Sequence, residues 1–250
     1  MGDAVSPVVS VDLPVPARVL AIAAHPDDVE FGCGATLAKW AAAGCVINHL
    51  ILTDGSKGTW DPHADTAALA EVRREEQRAA ADALGSTGEV VMLGVVDGEL
   101  EATLERRERV AFWIRRLRPD VVLGHDPWKR HRLHPDHRHA GWLAVDGVVA
   151  ARDPHFHPEH DTGHHRPSAL LLFEADEPNH VEAVDDHAVE AKLAALLAHR
   201  SQWRSTMFID EHDDGTQLAA FRQRVLDKLA AGGALAGIDR GEAFHAITAL

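Results

Sequence analysis

The chain has 250 residues, of which 46% are hydrophobic, so it is long enough to bury the core of one large domain or two small ones. Its formal net charge of −14 argues against nucleic acids and anionic membranes as general partners, because both attract clustered positive charge. Its 2 cysteines, Cys33 and Cys45, are too few for a disulfide framework or a thiolate zinc site.

Residues 1–17 show little periodicity and contain Pro7, Pro14 and Pro16. This pattern predicts an N-terminal tail or an edge extension, followed by a single domain over residues 18–250. The first residues lack the basic region and apolar core of a signal peptide. No window approaches the roughly 18 apolar residues of a membrane span. We therefore expect a cytoplasmic protein with no membrane partner.

Apolar runs that are typical of buried strands alternate with helical patterns along most of the chain. The predicted strands are 19–24, 46–53, 90–93, 120–126 and 169–175, and the predicted helices are 31–44, 66–84, 104–117, 137–150, 189–197 and 218–229. Alternation of this kind indicates βαβ units with right-handed crossovers. It predicts one α/β domain with a largely parallel sheet.

Histidine is the unusual residue in the composition, with 18 copies. Ten of them fall between His125 and His165, and half of those ten lie in a predicted loop over residues 151–168. Long loops in compact domains are usually functional or disordered. We expect most of these histidines to be exposed, and the sequence assigns the loop no role.

Two motifs of the same shape each follow a predicted strand, His25-Pro26-Asp27-Asp28 and His134-Pro135-Asp136-His137. Their first and fourth residues are three apart, which places both on one face of a tight loop or a first helical turn. In open α/β sheets, ligands bind at the carboxyl ends of the strands, so we expect the two motifs to converge there. Three such ligands with one or two open positions are what a catalytic zinc needs.

At these residues the sequence resembles the LmbE-like, or PIG-L-type, family of N-acetylglucosaminyl deacetylases. The similarity spans roughly residues 18–200 and lies in Ala24–Asp28, the run Phe31–Ala38, the turn Thr53-Asp54-Gly55, the helix from Arg73-Arg74-Glu75-Glu76 to Leu84-Gly85, and His134–His137. It implies a Rossmann-like α/β fold and one Zn²⁺ per chain. It also implies hydrolysis of an N-acetyl or similar amide on a small glucosamine-type sugar or conjugate. Members are often assemblies, so a homo-oligomer is also open.

The resemblance implies that His25, Asp28 and His137 bind the zinc ion and that Asp27 is the general base. The chemistry agrees with this division between the two neighbouring carboxylates. Zinc lowers the pKa of its water towards 7 and polarises the amide carbonyl. A carboxylate that is not itself a ligand then has to take the proton and pass it to the amine.

The resemblance also implies that His134 stabilises or protonates the tetrahedral intermediate, and that Asp136 orients His134. An imidazolium at this position would face the oxyanion, and a neighbouring carboxylate would keep the ring charged. Both residues belong to the second motif, so we expect them beside the metal.

Three further residues are expected to contact the substrate. Arg73 lies on a charged predicted helix, where a solvated surface position is the alternative. Asp126 follows His125 at the end of a predicted strand, where both residues could line the pocket or hydrogen-bond to metal ligands. Trp128 lies in the loop after that strand, where it could stack on a sugar or pack on the rim.

Within the same family, a mycothiol-conjugate-type amidase is an alternative. Mycothiol-pathway deacetylases carry an active-site tyrosine shortly before the second motif. This chain has no tyrosine, and the corresponding stretch reads Trp128-Lys129-Arg130-His131-Arg132-Leu133. The difference argues against the mycothiol precursor as substrate. The sequence does not name another substrate, because the pocket walls come from the loops 55–65, 127–134 and 151–168.

A non-haem Fe(II) enzyme is a second alternative, because two histidines and one carboxylate also form the iron-binding facial triad. The alternating βαβ pattern, rather than many short strands, argues against it.

A non-catalytic nucleotide-binding module is a third alternative, suggested by Gly32-Cys33-Gly34 after the first strand. The stretch lacks the third glycine of the dinucleotide-binding motif, and Asp54 is only a loose match to the ribose-binding position.

Overall fold

A computed structural model describes residues 9–250, and residues 1–8 lie outside the described part. The strands are β1 (Ser10–Val11), β2 (Arg18–Ala23), β3 (Val46–Thr53), β4 (Val90–Val95), β5 (Val121–His125), β6 (Ala169–Phe173), β7 (His180–Ala183) and β8 (Gly241–Ile247). The helices are α1 (Asp28–Ala42), α2 (Thr66–Ala83), α3 (Leu104–Leu117), α4 (Pro135–Arg152), α5 (Asp186–Ala198) and α6 (Thr216–Ala234). A 3-10 turn (Arg200–Gln202) and a π-helical turn (Trp203–Met207) join α5 to α6.

The strands form one mixed sheet in the order β1-β7-β8-β6-β5-β2-β3-β4. Neighbouring strands are parallel except where β8 pairs with β6 and with β7. Helices cover both faces, with α1, α2, α5 and α6 in one hydrophobic cluster and α3 and α4 in the other. The predicted single α/β domain with a mostly parallel, Rossmann-like sheet is confirmed.

The central strand β2 explains why the sheet is buried on both faces. Every residue from Val19 to Ala24 is fully buried. Val19, Ala21 and Ala23 pack with the first helix cluster, and their alternating neighbours pack with the second. A continuous apolar run is the pattern that burial on both faces requires. The chain leaves β2 towards β3 and β4 and then returns to β5 on the other side, so the strand order reverses between β2 and β5. This reversal opens the crevice in which ligands of such folds bind.

Gly32, one of the two glycines that suggested nucleotide binding, has a packing function in this fold. A Cβ atom at Gly32 would lie 2.6 Å from the ring of Phe173, so α1 can approach β6 only with glycine there. The described residues therefore explain Gly32 without a phosphate.

The start of the chain and its last strands differ from the sequence prediction. Part of the predicted tail falls on residues 1–8, outside the described residues, but Ser10–Val11 pair in parallel with His180–Val181 at the sheet edge. Strands β7 and β8 were not predicted. In β7 a histidine and a glutamate are buried because they pair with each other, His180 Nε2 to Glu182 Oε1 at 2.9 Å. Such paired polar residues hide the apolar pattern by which a strand is predicted. Among residues 9–250, no helix is both long enough and apolar enough to cross a membrane.

Candidate metal centre

The first motif lies in the turn between β2 and α1. Asp27 precedes the helix with φ of 96°, a left-handed conformation that few non-glycine residues adopt. Asp28 is the first residue of α1, three residues earlier than predicted, and its Oδ2 accepts a hydrogen bond from the backbone N–H of His25 at 2.8 Å. The turn therefore holds the His25 and Asp28 side chains together and leaves Asp27 beside them.

The second motif forms the start of α4. His134 precedes the helix and Pro135 is its first residue, where the missing N–H of proline costs nothing. The Nδ1 of His134 accepts the backbone N–H of Asp136 at 3.3 Å. His137 follows in the first turn, with its ring stacked on that of His134 at 4.8 Å between centroids.

The three predicted metal ligands form a triangle of side chains, in which Asp28 faces the two histidines with different carboxylate oxygens. His25 Nδ1 lies 3.2 Å from Asp28 Oδ2 and 3.2 Å from His137 Nε2, and His137 Nε2 lies 3.3 Å from Asp28 Oδ1. Tetrahedral zinc with bonds of about 2.0–2.1 Å separates its ligand atoms by about 3.3 Å. The donor set and its spacing therefore fit a divalent metal ion.

The carboxylate of Asp136 faces His25 instead of His134. Its Oδ2 lies 3.1 Å from His25 Nε2 and accepts the backbone N–H of Gly98 at 2.7 Å. Asp97 Oδ1 is also 3.1 Å from the same nitrogen. The first turn of α4 directs Asp136 into the fully buried interior, so only its backbone contacts His134. The two carboxylates hold the proton of His25 on Nε2 and leave Nδ1 free for a metal, an arrangement common in metal-binding histidines.

His134 differs electrostatically from the predicted imidazolium. Desolvation, together with the neighbouring His25, lowers the pKa of His134 below its ordinary value of 6.5, so the neutral ring is favoured at pH 7. Since its Nδ1 accepts the N–H of Asp136, the proton lies on Nε2. His134 lines the cavity at the metal centre and offers a neutral N–H donor there.

Asp27 is buried next to the triangle without belonging to it. Burial and the nearby Asp28 raise the pKa of Asp27 to about 6, against the opposing effect of the Arg73 guanidinium. Arg73 is buried rather than solvated, and its Nη2 lies 3.3 Å from Asp27 Oδ2. The backbone N–H of Asp27 donates to Gln77 Oε1 at 3.1 Å. Asp27 is thus a fixed carboxylate with a pKa suited to proton transfer near neutrality.

His125 ends β5 and contacts two of the three triangle residues. Its Nε2 lies 3.3 Å from Asp28 Oδ2, and its ring stacks on that of His137 with 4.5 Å between centroids. Arg132 Nη1 donates to His125 Nδ1 at 3.2 Å and to Glu174 Oε2 at 2.9 Å. Because Arg132 donates a hydrogen bond to Nδ1, the ring proton lies on the other nitrogen. Nε2 therefore donates a hydrogen bond to Asp28 Oδ2. Neither Arg132 nor Glu174 belongs to a sequence motif that predicts this contact.

His125→Phe is expected to weaken metal affinity about 10- to 100-fold, the usual cost of removing a group that hydrogen-bonds to a metal ligand. Phenylalanine keeps the stacking on His137 but removes the N–H that holds Asp28 Oδ2 in place. Zinc affinity is measured by competition with a chromophoric chelator, with His155→Phe at an exposed position as control. Unchanged affinity would show that Asp28 needs no support from β5.

Two of the predicted substrate-binding residues lie at a different cavity. Asp126 and Trp128 line a space of about 300 Å³ that also contacts Glu177 and His245. Asp126 Oδ1 accepts the backbone N–H of Trp128 at 2.9 Å. The cavity at the metal centre, of about 540 Å³, is lined by the triangle residues, Asp27, Arg73 and His134, with Lys57, Gln202 and Thr206 among the others. Three loops were predicted to form the walls of the substrate pocket. Of these, 55–65 and 127–134 contribute residues to the cavity at the metal centre.

Comparisons with known proteins agree with this geometry. Residues 20–148, just over half of the chain, match the PIG-L family, described as GlcNAc-PI de-N-acetylase. Diacetylchitobiose deacetylase of Thermococcus kodakarensis is 37% identical over 189 residues, which cover 74% of this chain and 70% of that protein. The 1D-myo-inositol 2-acetamido-2-deoxy-alpha-D-glucopyranoside deacetylase of Actinosynnema mirum is 30% identical over 233 residues, covering 76% and 82%.

The structural comparison extends the similarity to nearly the whole chain. N,N'-diacetylchitobiose deacetylase from Pyrococcus horikoshii, solved with its inhibitor MPG, superposes with a TM-score of 0.81 at 30% identity. The superposition covers 93% of this chain and 84% of that one. The family match includes both histidine motifs, whose side chains form the triangle and its surroundings. This chain therefore belongs to the PIG-L, or LmbE-like, family and is an amide hydrolase of the N-deacetylase type.

Proposed function

We propose that the protein is a zinc-dependent deacetylase that removes the acetyl group from an N-acetylglucosamine-type sugar or conjugate. The observation that carries the proposal is the triangle of His25, Asp28 and His137, with the separate carboxylate of Asp27 beside it. The relatives named above act on N-acetylated glucosamine units, which supports this substrate class.

The reaction divides between the metal ligands and Asp27. His25, Asp28 and His137 would hold a zinc ion, which would supply Lewis acidity by lowering the pKa of a water and polarising the amide carbonyl. Asp27 accepts the proton of the attacking water and returns it to the leaving amine. Arg73 holds Asp27 Oδ2, which leaves the other oxygen of the carboxylate for the proton.

The developing negative charge on the acetyl oxygen needs a hydrogen-bond donor. His134 supplies its Nε2–H as a neutral donor, which stabilises an oxyanion without a change of protonation. Asp136 acts through His25, because its carboxylate accepts a hydrogen bond from the Nε2–H of that ring. His134 is therefore proposed as the group that binds the tetrahedral intermediate, and Asp136 as a positioning residue.

The three residues that were predicted to contact the substrate differ in their distance from the metal centre. Arg73 lines the cavity at the metal centre, so a contact between its guanidinium and the sugar remains a prediction. The contact that the structure shows for Arg73 is the one with Asp27. Asp126 and Trp128 would reach only a substrate that extends into the neighbouring cavity. Homo-oligomerisation and a cytoplasmic location also remain predictions.

The rate is expected to fall as the pH drops through the pKa of Asp27, because only the ionised carboxylate accepts a proton. That pKa is about 6 in the protein without metal. A bound divalent cation would lower this pKa from about 6, so the acid limb of kcat/KM should lie at or below about pH 6. The profile is measured from about pH 5 to 8 with excess zinc. An acid limb above neutral pH would contradict the assignment of Asp27.

The proposal is tested by metal analysis together with acetate release. Purified protein is stripped with chelator, reloaded with Zn²⁺ or Fe²⁺, and assayed on N-acetylglucosamine, diacetylchitobiose and N-acetylglucosaminyl-inositol. We expect acetate release with zinc under anaerobic and aerobic conditions alike. Absence of acetate release from all three sugars would contradict the substrate class, and activity only with Fe²⁺ and oxygen would favour the iron alternative.

The mycothiol-pathway substrate is kept as a second candidate because of the similarity to the Actinosynnema mirum deacetylase. Preference for N-acetylglucosaminyl-inositol over diacetylchitobiose would support it. The lack of any tyrosine in the chain predicts the opposite preference.

A further inference from the structure

A second group of metal-ligating side chains lies outside the catalytic cavity. It consists of Glu108 on α3 and of His157, Glu159 and His160 in the segment 153–168, which joins α4 to β6. One donor atom of each side chain lies within 4.8 Å of the other three. None of the four lines the catalytic cavity. We propose that these side chains form a second divalent-metal site, which fastens the segment 153–168 to α3.

Two of the distances within the group already fit a bound metal. His160 Nε2 lies 3.5 Å from Glu108 Oε1, and His157 Nδ1 lies 3.4 Å from Glu159 Oε1. Ligand atoms around tetrahedral zinc, with bonds of about 2.0–2.2 Å, are about 3.3–3.6 Å apart. The rings of His157 and His160 stack with 5.2 Å between centroids. The remaining donor atoms lie within 4.8 Å of one another and would have to approach by about 1 Å to surround one ion.

The charge around the group is compatible with a cation. Glu108 and Glu159 together outweigh the positive Arg115, whose Nη1 donates to His160 Nδ1 at 3.3 Å. Metal binding at His160 Nε2 places the ring proton on Nδ1, so this contact is given up. The same Nη1 still donates to the carbonyl of His157 at 3.0 Å. The rest of the guanidinium donates to carbonyls at the end of α4 and at the start of the segment, those of Ala150, Ala151, Asp153 and Phe156. The cost of the lost contact is therefore small compared with two imidazole and two carboxylate ligands.

Two imidazole nitrogens among the four ligands favour zinc or another transition metal over calcium and magnesium, which prefer oxygen ligands. The segment has no regular secondary structure between α4 and β6, so a metal would add a cross-link to the contacts of Arg115. The sequence His157-Pro158-Glu159-His160 also repeats the His-Pro-acid-His shape of residues 134–137. The proposal does not depend on the deacetylase function.

The test counts zinc ions per chain by calorimetric titration and elemental analysis of protein stripped with chelator. The wild type is expected to bind two, and His137→Ala and His160→Gln one each. His155→Gln, at an exposed histidine of the same segment, is the matched control and should bind two. Zinc should also slow hydrogen exchange of the segment amides in His137→Ala but not in His137→Ala/His160→Gln.

A wild type that saturates with one zinc, or a His160→Gln variant that still binds two, would overturn the second site. If His160→Gln fails to fold, Glu108→Gln takes its place, because Glu108 is a half-exposed residue of α3. Glu108→Gln is likewise expected to bind one zinc ion. His160→Gln is expected to release acetate at the wild-type rate, because it lies outside the catalytic cavity. One zinc in the wild type with intact acetate release would overturn only the second site, whereas two zinc ions without acetate release would overturn only the deacetylase function.

Discussion

Asp27→Asn is expected to keep the catalytic metal and to lose about 10²- to 10⁴-fold in kcat, the usual contribution of a general base. The amide has the shape of the carboxylate but cannot accept the proton of the attacking water. Asparagine also tolerates the left-handed backbone of this position, where φ is 96°. The hydrogen bond from the backbone N–H to Gln77 does not involve the side chain and is retained. The substitution therefore changes the chemistry and leaves the turn intact.

Acetate release and zinc content of Asp27→Asn are measured on the same preparation, beside Asp61→Asn in the exposed loop as control. Turnover close to the wild type would remove Asp27 as the base. Loss of zinc would instead assign Asp27 as a ligand, which the triangle of donor atoms does not include.

The parallel part of the fold was predictable because its strands are continuous apolar runs. Strand β3 was predicted with its observed bounds, and β2 differs by one residue at each end. Helix α1 begins at Asp28 rather than at 31, because its first turn is made of the motif residues themselves. The antiparallel strand β8 was not predictable from local pattern, since its burial depends on the partners β6 and β7.

The sequence pointed to the candidate metal ligands and to His125 as a residue that could hydrogen-bond to them, but not to the other residues that contact these side chains. Asp97 follows β4 without any motif, and only the fold brings it to 3.1 Å from His25 Nε2. The contact of His125 with Asp28 depends on β5 lying next to β2, which the sheet order reveals. Asp126 directly follows His125 but lines the neighbouring cavity, because successive side chains at a strand end point to different sides. Trp128, whose backbone N–H donates to Asp126 Oδ1, lines the same cavity.

His137→Ala is expected to weaken zinc affinity by more than about 100-fold, because removal of a ligand exceeds the cost of removing a group that only hydrogen-bonds to one. His25 and Asp28 remain, and two donors 3.2 Å apart cannot complete a catalytic site, which needs three. Acetate release should fall to background at zinc concentrations that saturate the wild type. The helix should persist, because Pro135 and the His134 cap at its start are unchanged.

Zinc affinity of His137→Ala is compared with that of His139→Ala, which removes the same side chain from the same helix outside the triangle. Full zinc occupancy in His137→Ala would mean that another nitrogen replaces the lost one. The structure limits the replacement to His125, 3.3 Å from Asp28 Oδ2, or His134, whose ring lies 4.5 Å from that of His25. Adding His134→Phe to His137→Ala separates them, because zinc is then lost only if His134 is the substitute. Loss of zinc in that double variant would place His134 among the ligands and leave the oxyanion without its proposed donor.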